Sequence, residues 1–343
     1  MGAARFDFST NSNACGPCPL ALAAVQQADP SAYPDPGYTL LRTQLGAHHG
    51  VDPGRVVVAG SASEFIFRIT GWVAQQYWLD DERQGQGLVS VPRNAYGDYA
   101  AAARAWGLQP VAPQIDARLV WCCEPSSPLG GAQHEWPSWI IEPPHFVEPP
   151  DSMEPVEVTI IKSIPVVLDC AYAPLRLHGA PALDAQQRAR VWQLYSPNKA
   201  LGLTGVRAAY AIAPMGMQGA VAELERMAPS WPVGAHGVAM LLAWVRADVQ
   251  AWLLEAIPTL RVWKARQIDL LQALGWTCLP SEANFFCASP PEQLDLAALL
   301  KNLRTQGIKL RDATSFGLPG YVRLGVLDPA AQDALGVALQ ALY

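Results

Sequence analysis

Apolar positions recur along this chain with two spacings, one helical and one strand-like, and the two alternate. From Tyr38 to His49 a helical stripe runs until Val51-Asp52-Pro53-Gly54 stops it. Apolar runs at Arg55–Ala59, Gly87–Val91, Gln109–Ala112 and Leu119–Cys123 read as strands, with helices expected over Ser61–Tyr77 and Tyr96–Trp106. Pro165–Asp169, Val191–Tyr195 and Ala208–Ala213 continue the strand series. This alternation predicts right-handed crossovers and an α/β fold, a mostly parallel sheet with helices on both faces. From about Gly237 the pattern changes. Helices over Val238–Ala256 and Arg261–Leu274, strands at Ala283–Cys287 and Val322–Val326, and a final helix predict a smaller α+β domain. Residues 1–36, with Asn, Pro and Gly at turn spacing, read as an ordered arm with one short helix. The expected organisation is thus arm 1–36, large domain 37–236 and small domain 237–343.

One stretch fits neither spacing. Gly130–Ile164 holds Pro137, Pro143, Pro144, Pro149, Pro150 and Pro155, and no helix is expected through that spacing. Inside a domain, so long an irregular segment reads as a functional flap or as disorder.

Composition narrows the class. Half the residues are apolar and 16% are charged, which suits a compact chain with a large core. A net charge of −6 with no Lys/Arg cluster excludes a nucleic-acid partner. No apolar run approaches the roughly 20 residues that span a bilayer, and MGAARFDFSTNSN lacks the basic start and apolar stretch of a signal peptide. The expected location is cytoplasmic. Seven cysteines, an odd number spread through core segments, read as reduced thiols. Cys15 and Cys18 lack the second pair that a zinc site would use, so no metal is expected.

Five segments carry chemistry. SPNKALGLTGVRAAYAIA (Ser196–Ala213) places a lysine beside a serine and an arginine, the donors that suit a phosphate dianion. VVLDCAYAPL ends a strand on Asp169, where ligands of open α/β sheets collect. GSASEFI (Gly60–Ile66) follows a strand and opens a helix, whose first N–H groups form an anion site. NAYGDYAAAARAWG offers two aromatics, Tyr96 and Tyr99, and TSFGLPGYVRLGV carries Arg323.

In this order the segments resemble the class I/II aminotransferases of fold type I, enzymes that use pyridoxal 5′-phosphate (PLP). Within that superfamily the chain looks nearest to histidinol-phosphate aminotransferases and L-threonine-O-3-phosphate decarboxylases, the opening FDFSTNSNACGP being more like the latter. The resemblance covers nearly the whole chain. It implies that Lys199 carries PLP as a Schiff base, and that Ala62, Ser63, Ser196 and Arg207 hold its phosphate. Asp169 would face the pyridine nitrogen, Tyr172 would donate to the ring oxygen O3′, and Tyr96, rather than Tyr99, would stack on the ring. Arg323 would grip the substrate carboxylate through its planar fork, with Arg311 a second cation nearby. Through AYPDPGYTLLRTQLGAHHGV the resemblance also implies a homodimer with shared active sites, in which Tyr33 reaches the partner's cofactor.

Two departures stand out. Where the family has N-P-N-N-P-T-G this chain has Glu124-Pro-Ser-Ser-Pro-Leu-Gly130, so Ser127 replaces the asparagine that contacts O3′ with a shorter group of one donor. The helix that follows in the family is replaced by the proline-rich stretch. The expected activity is transamination between an L-amino acid and a 2-oxo acid, of a non-phosphorylated substrate, because Glu142 and Glu148 would repel a phosphate if they faced the site. The alternatives are a phosphothreonine decarboxylase of the kind used in cobalamin biosynthesis, and a catalytically idle PLP-binding relative.

Overall fold

The computed structural model describes residues 4–79, 87–113, 116–142 and 164–341. Seven strands form its main sheet: Val56–Ala59 (β1), Leu88–Ser90 (β2), Gln109–Val111 (β3), Leu119–Cys123 (β4), Val166–Asp169 (β5), Trp192–Tyr195 (β6) and Ala209–Ile212 (β7). Their order is β3-β2-β4-β5-β6-β7-β1. Neighbours pair in parallel from β3 through β6, and β7 lies antiparallel to both β6 and β1. Six carboxyl ends and the amino end of β7 therefore share one edge.

Both faces of the sheet are covered, which is why its strands read as continuous apolar runs. Alternate residues face opposite ways. Val58, Val120, Leu168 and Tyr210 pack on one side with Leu41, Met240 and Leu253. Val57, Trp121, Val167 and Ala211 pack on the other with Phe65, Ile69 and Tyr99. The helices on that second side are Ala62–Leu79, Gly97–Ala105 and Gln218–Arg226.

A four-stranded antiparallel sheet, ordered Arg311–Asp312, Val322–Gly325, Phe285–Ser289 and Thr277–Cys278, belongs to a third core with Phe8, Leu271, Leu303 and Leu335. Phe6–Asp7 of the arm pairs in parallel with Ile308–Lys309 beside it.

Two expectations need correction. The break expected near Pro258 is absent: Ala247–Ala273 is one 27-residue helix with Pro258 inside it, and the chain bends instead after Ala235–Trp244. Val249 and Leu260 of this helix pack in the first core and Leu271 in the third, so the helix joins the two cores. A one-turn helix, Ser138–Ile141, does form between Pro137 and Pro143, because Pro137 sits at its N-cap and Pro143 lies beyond its end. Most of the proline-rich stretch, including Glu148, lies outside the described residues. No single helix among them is long and apolar enough to cross a membrane.

Candidate active site

The shared strand edge gathers residues that lie far apart in the sequence. Around one cavity of about 560 Å³ stand Ala62, Ser63, Tyr96, Ser127, Asp169, Tyr172, Ser196, Lys199, Arg207, Arg311 and Arg323. Its size suits a cofactor with a small substrate. Strand ends and the loops after them supply most of these groups, and the antiparallel β7 brings Arg207 in from its amino end.

At one end the donors suit a phosphate. Ala62 and Ser63 open the helix Ala62–Leu79, where unpaired N–H groups favour an anion. Ser61 and Glu64 cap that helix reciprocally: the Ser61 hydroxyl accepts from the Glu64 N–H, and the Glu64 carboxylate accepts from the Gly60 N–H. That carboxylate is also paired with Arg68 one turn further along the helix, so its charge is balanced. Ser196 donates to Asn198, whose amide reaches the carbonyls of Thr204 and Val206 and so shapes the turn that carries Lys199. Asn13 braces the same turn, its N–H donating to the Lys199 carbonyl and its amide to that of Ala200.

Asp169 lies buried at the tip of β5. Its Oδ1 accepts from the Ala171 N–H at 2.9 Å and its Oδ2 from the Tyr99 hydroxyl at 2.6 Å. Burial raises its proton affinity, against the pull of those two donors and of the Lys199 charge. Lys199 Nζ stands 5.3 Å from the centre of the Tyr172 ring. The Tyr172 hydroxyl accepts from Asn11 Nδ2 at 3.2 Å, which leaves its own proton free to donate onward.

The opposite end is cationic. Arg323, only 9% exposed, donates to Ser127 Oγ at 3.2 Å and to the Ser9 carbonyl at 3.1 Å. Its Nε has no partner, and its guanidinium lies between the Phe285 and Phe316 rings, 5.7 and 5.1 Å from their centres. Among the described ion pairs none involves Arg323, so a structural salt bridge does not explain it. Arg311, opposite Arg323 in the strand register, lies 5.0 Å from the same Phe316 ring.

These groups match what PLP needs from a protein. A buried carboxylate, a lysine, a phosphate-type donor set and an aromatic wall at Tyr96 surround one space. Two buried polar atoms in that wall, Asn11 Oδ1 and Arg323 Nε, find no partner within the protein. Buried polar groups are rarely left so without a ligand or water to meet them. The residues fit the cofactor.

The sequence supplies the family. Residues 149–339 match the model of "Aminotransferase class I and II". The chain belongs to that family. It is a PLP-dependent aminotransferase. Its sequence is 28% identical to histidinol-phosphate aminotransferase 1 of Thiobacillus denitrificans over 365 aligned positions, covering 99% of this chain and 88% of that one. It shares its fold with the histidinol-phosphate aminotransferase of Sinorhizobium meliloti in complex with PLP, at a TM-score of 0.75 and 21% identity over 99% and 92% of the two chains. The L-threonine-O-3-phosphate decarboxylase of Porphyromonas gingivalis has the same fold, with a TM-score of 0.74 and 19% identity over 98% and 99%.

In this aminotransferase the fold fixes the surroundings of Tyr33, Glu142, Asn11 and Tyr99. Tyr33 does not line the cavity of its own chain; it is 77% exposed and stacks on Trp231 at 4.5 Å. Glu142 lies at the opposite edge of the sheet, where its carbonyl accepts from Arg190 just ahead of β6. It does not face the site, so its charge gives no reason to reject a phosphorylated substrate. The sequence does not point to Asn11, and it offers Tyr99 only as the rival of Tyr96 for stacking on the ring. Asn11 sits in an irregular arm with no periodicity, and Tyr99 has the spacing of a core aromatic, so only their contacts reveal them.

Proposed function

We propose that this aminotransferase moves an amino group between an L-amino acid and a 2-oxo acid, with Lys199 as covalent anchor and proton carrier. The observation that carries the reading is the shared cavity of Lys199, Asp169 and an un-neutralised Arg323. When bound, PLP supplies the electron sink for a carbanion at the substrate Cα. Asp169 keeps a negative charge where the pyridine nitrogen would carry its proton. Tyr172 donates to the ring oxygen, with Asn11 holding the hydroxyl in place. Ser63, Ser196 and Arg207 bind the phosphate, and Tyr96 covers the ring. The Arg323 fork holds the substrate's anionic end, which aims the Cα–H bond at the Lys199 amine. That amine takes the proton from Cα as base and returns it as acid.

A specific observation favours a substrate that bears phosphate. Arg311 and Arg323 flank one ring on paired strands, and two guanidinium groups suit a dianion better than a single carboxylate. The relatives' names, histidinol phosphate and threonine O-3-phosphate, both describe such molecules. The exposure of Tyr33 outside its own cavity supports a role for it in a second subunit, and we read the working form as a homodimer.

The test is to incubate holoenzyme with a panel of amino donors, histidinol phosphate included, plus 2-oxoglutarate, and separately with phosphothreonine. Conversion of the cofactor to its amino form by a donor supports transamination. Carbon dioxide release from phosphothreonine, with no donor active, would replace it with the decarboxylase reading.

A further inference from the structure

Tyr99 has the sequence position of an ordinary core aromatic, and by burial it is one: none of it is exposed. Its ring stacks on Trp121, centroids 4.5 Å apart and planes 9° apart, and meets the edge of Tyr96 at 5.9 Å. A phenylalanine would pack equally well there. The hydroxyl is what packing does not explain. It points at the tip of β5 and donates to Asp169 Oδ2 across 2.6 Å, a buried bond between residues 70 positions apart.

We propose that Tyr99 is a positioning residue for the amino-transfer reaction, fixing the orientation of Asp169 and keeping it a carboxylate. The inference rests on reading Asp169 as the partner of the cofactor's pyridine nitrogen. With Ala171 N–H on Oδ1 and Tyr99 on Oδ2, both oxygens are tethered, so the group cannot rotate about its last bond without breaking two hydrogen bonds. The stacked ring and its place on the helix Gly97–Ala105 hold the donor equally still.

The chemistry follows from one shared proton. A proton between Asp169 and the pyridine nitrogen can reside on either, and only on the nitrogen does it draw electrons from the substrate carbon. Burial favours the acid form of Asp169. The Tyr99 bond is the strongest influence opposing it, ahead of the Ala171 N–H and the Lys199 charge. The phenol stays a donor, because burial and the adjacent carboxylate push its pKa well above the ordinary tyrosine value, so it keeps its proton. Each Tyr99 proton given to Oδ2 thus biases the shared proton toward the nitrogen.

The decisive measurement is the nitrogen chemical shift of ¹⁵N-labelled PLP in the holoenzyme at fixed pH, which reports where that proton lies. Tyr99→Phe keeps the stack and removes one hydroxyl. The expected result is a shift toward the unprotonated nitrogen, with kcat lower by roughly ten- to hundredfold, the worth of one hydrogen bond to a charged group. Replacing Tyr99 by a fluorinated tyrosine, a stronger donor of nearly the same shape, should move the signal the opposite way, and it gives a readout even if Tyr99→Phe fails to fold. An unmoved signal in these variants, while Asp169→Asn displaces it, overturns the role of Tyr99 and leaves the reading of Asp169 standing. A signal that Asp169→Asn also leaves unmoved overturns both.

Discussion

Arg323 Nη1 donates to the Ser127 hydroxyl across 3.2 Å, joining residues 196 positions apart. Ser127 occupies the place where the aminotransferase pattern has an asparagine directed at the cofactor. Here the shorter group is turned to the guanidinium, and the Tyr172 hydroxyl has Asn11 beside it. Removing one partner of a desolvated charge pair costs roughly 3–5 kcal/mol. Arg323→Ala should therefore lower kcat/KM at least about a hundredfold with the cofactor retained. Ser127→Ala should lose only about 1 kcal/mol, expressed in KM. Steady-state kinetics with cofactor absorbance checks both, and turnover near wild type in Arg323→Ala would assign the anion to another residue.

Lys199 should be the point of covalent attachment. The purified holoenzyme should be yellow, and borohydride should fix the cofactor to the peptide that contains Lys199. Peptide mapping by mass spectrometry decides it. In Lys199→Ala, a reducible link formed at another lysine would refute the assignment.

Tyr33 should act between subunits. Tyr33→Phe should weaken PLP retention by roughly 1–2 kcal/mol, the scale of one hydrogen bond to a charged acceptor. Sedimentation velocity should show a dimer. A monomer with full cofactor occupancy would contradict both statements.

His49 gives a pH dependence of stability. Its ring contacts the Tyr210 hydroxyl at 2.9 Å, and burial, followed by the charges of His48 and Arg188, lowers its pKa from 6.5 to about 4. The folded form therefore favours the neutral ring, and the unfolded chain binds more protons between those values. Stability contributed this way is complete above pH 6.5 and is lost as pH falls toward 4. Discounted for partial solvent contact, the loss is about 2 kcal/mol. Denaturant titrations at pH 7.5 and 4.5 should show a smaller drop in His49→Gln than in wild type; an equal drop would remove His49 from the account.

The helix Ala247–Ala273 shows how local rules can mislead. Proline withdraws one backbone donor and crowds the preceding turn. At Pro258 the carbonyl left without that donor belongs to Leu254, a residue on the exposed side, where water can serve it. Packing of Val249, Leu253 and Leu260 into the core then carries the helix through.

The sequence alone determined the alternating strands of the main sheet, because strands buried on both faces must be apolar throughout and leave an unmistakable run. It also marked Lys199, Asp169, Arg207 and Arg323 as candidates, since the cofactor's chemistry demands particular groups in local motifs that short segments preserve. What it could not contain were pairings across the fold. The Tyr99 hydroxyl meets Asp169 only because the helix Gly97–Ala105 packs beside β4 and β5, and Ser127 meets Arg323 only where the two sheets approach. The proline-rich stretch that begins at Gly130 reads as a functional flap or as disorder, and only the fold shows that Glu142 sits at the edge opposite the site, a position set by Arg190 and not by any pattern around it. Periodicity reports which face of an element is buried. Which distant side chain waits on that face is fixed only when the layers close.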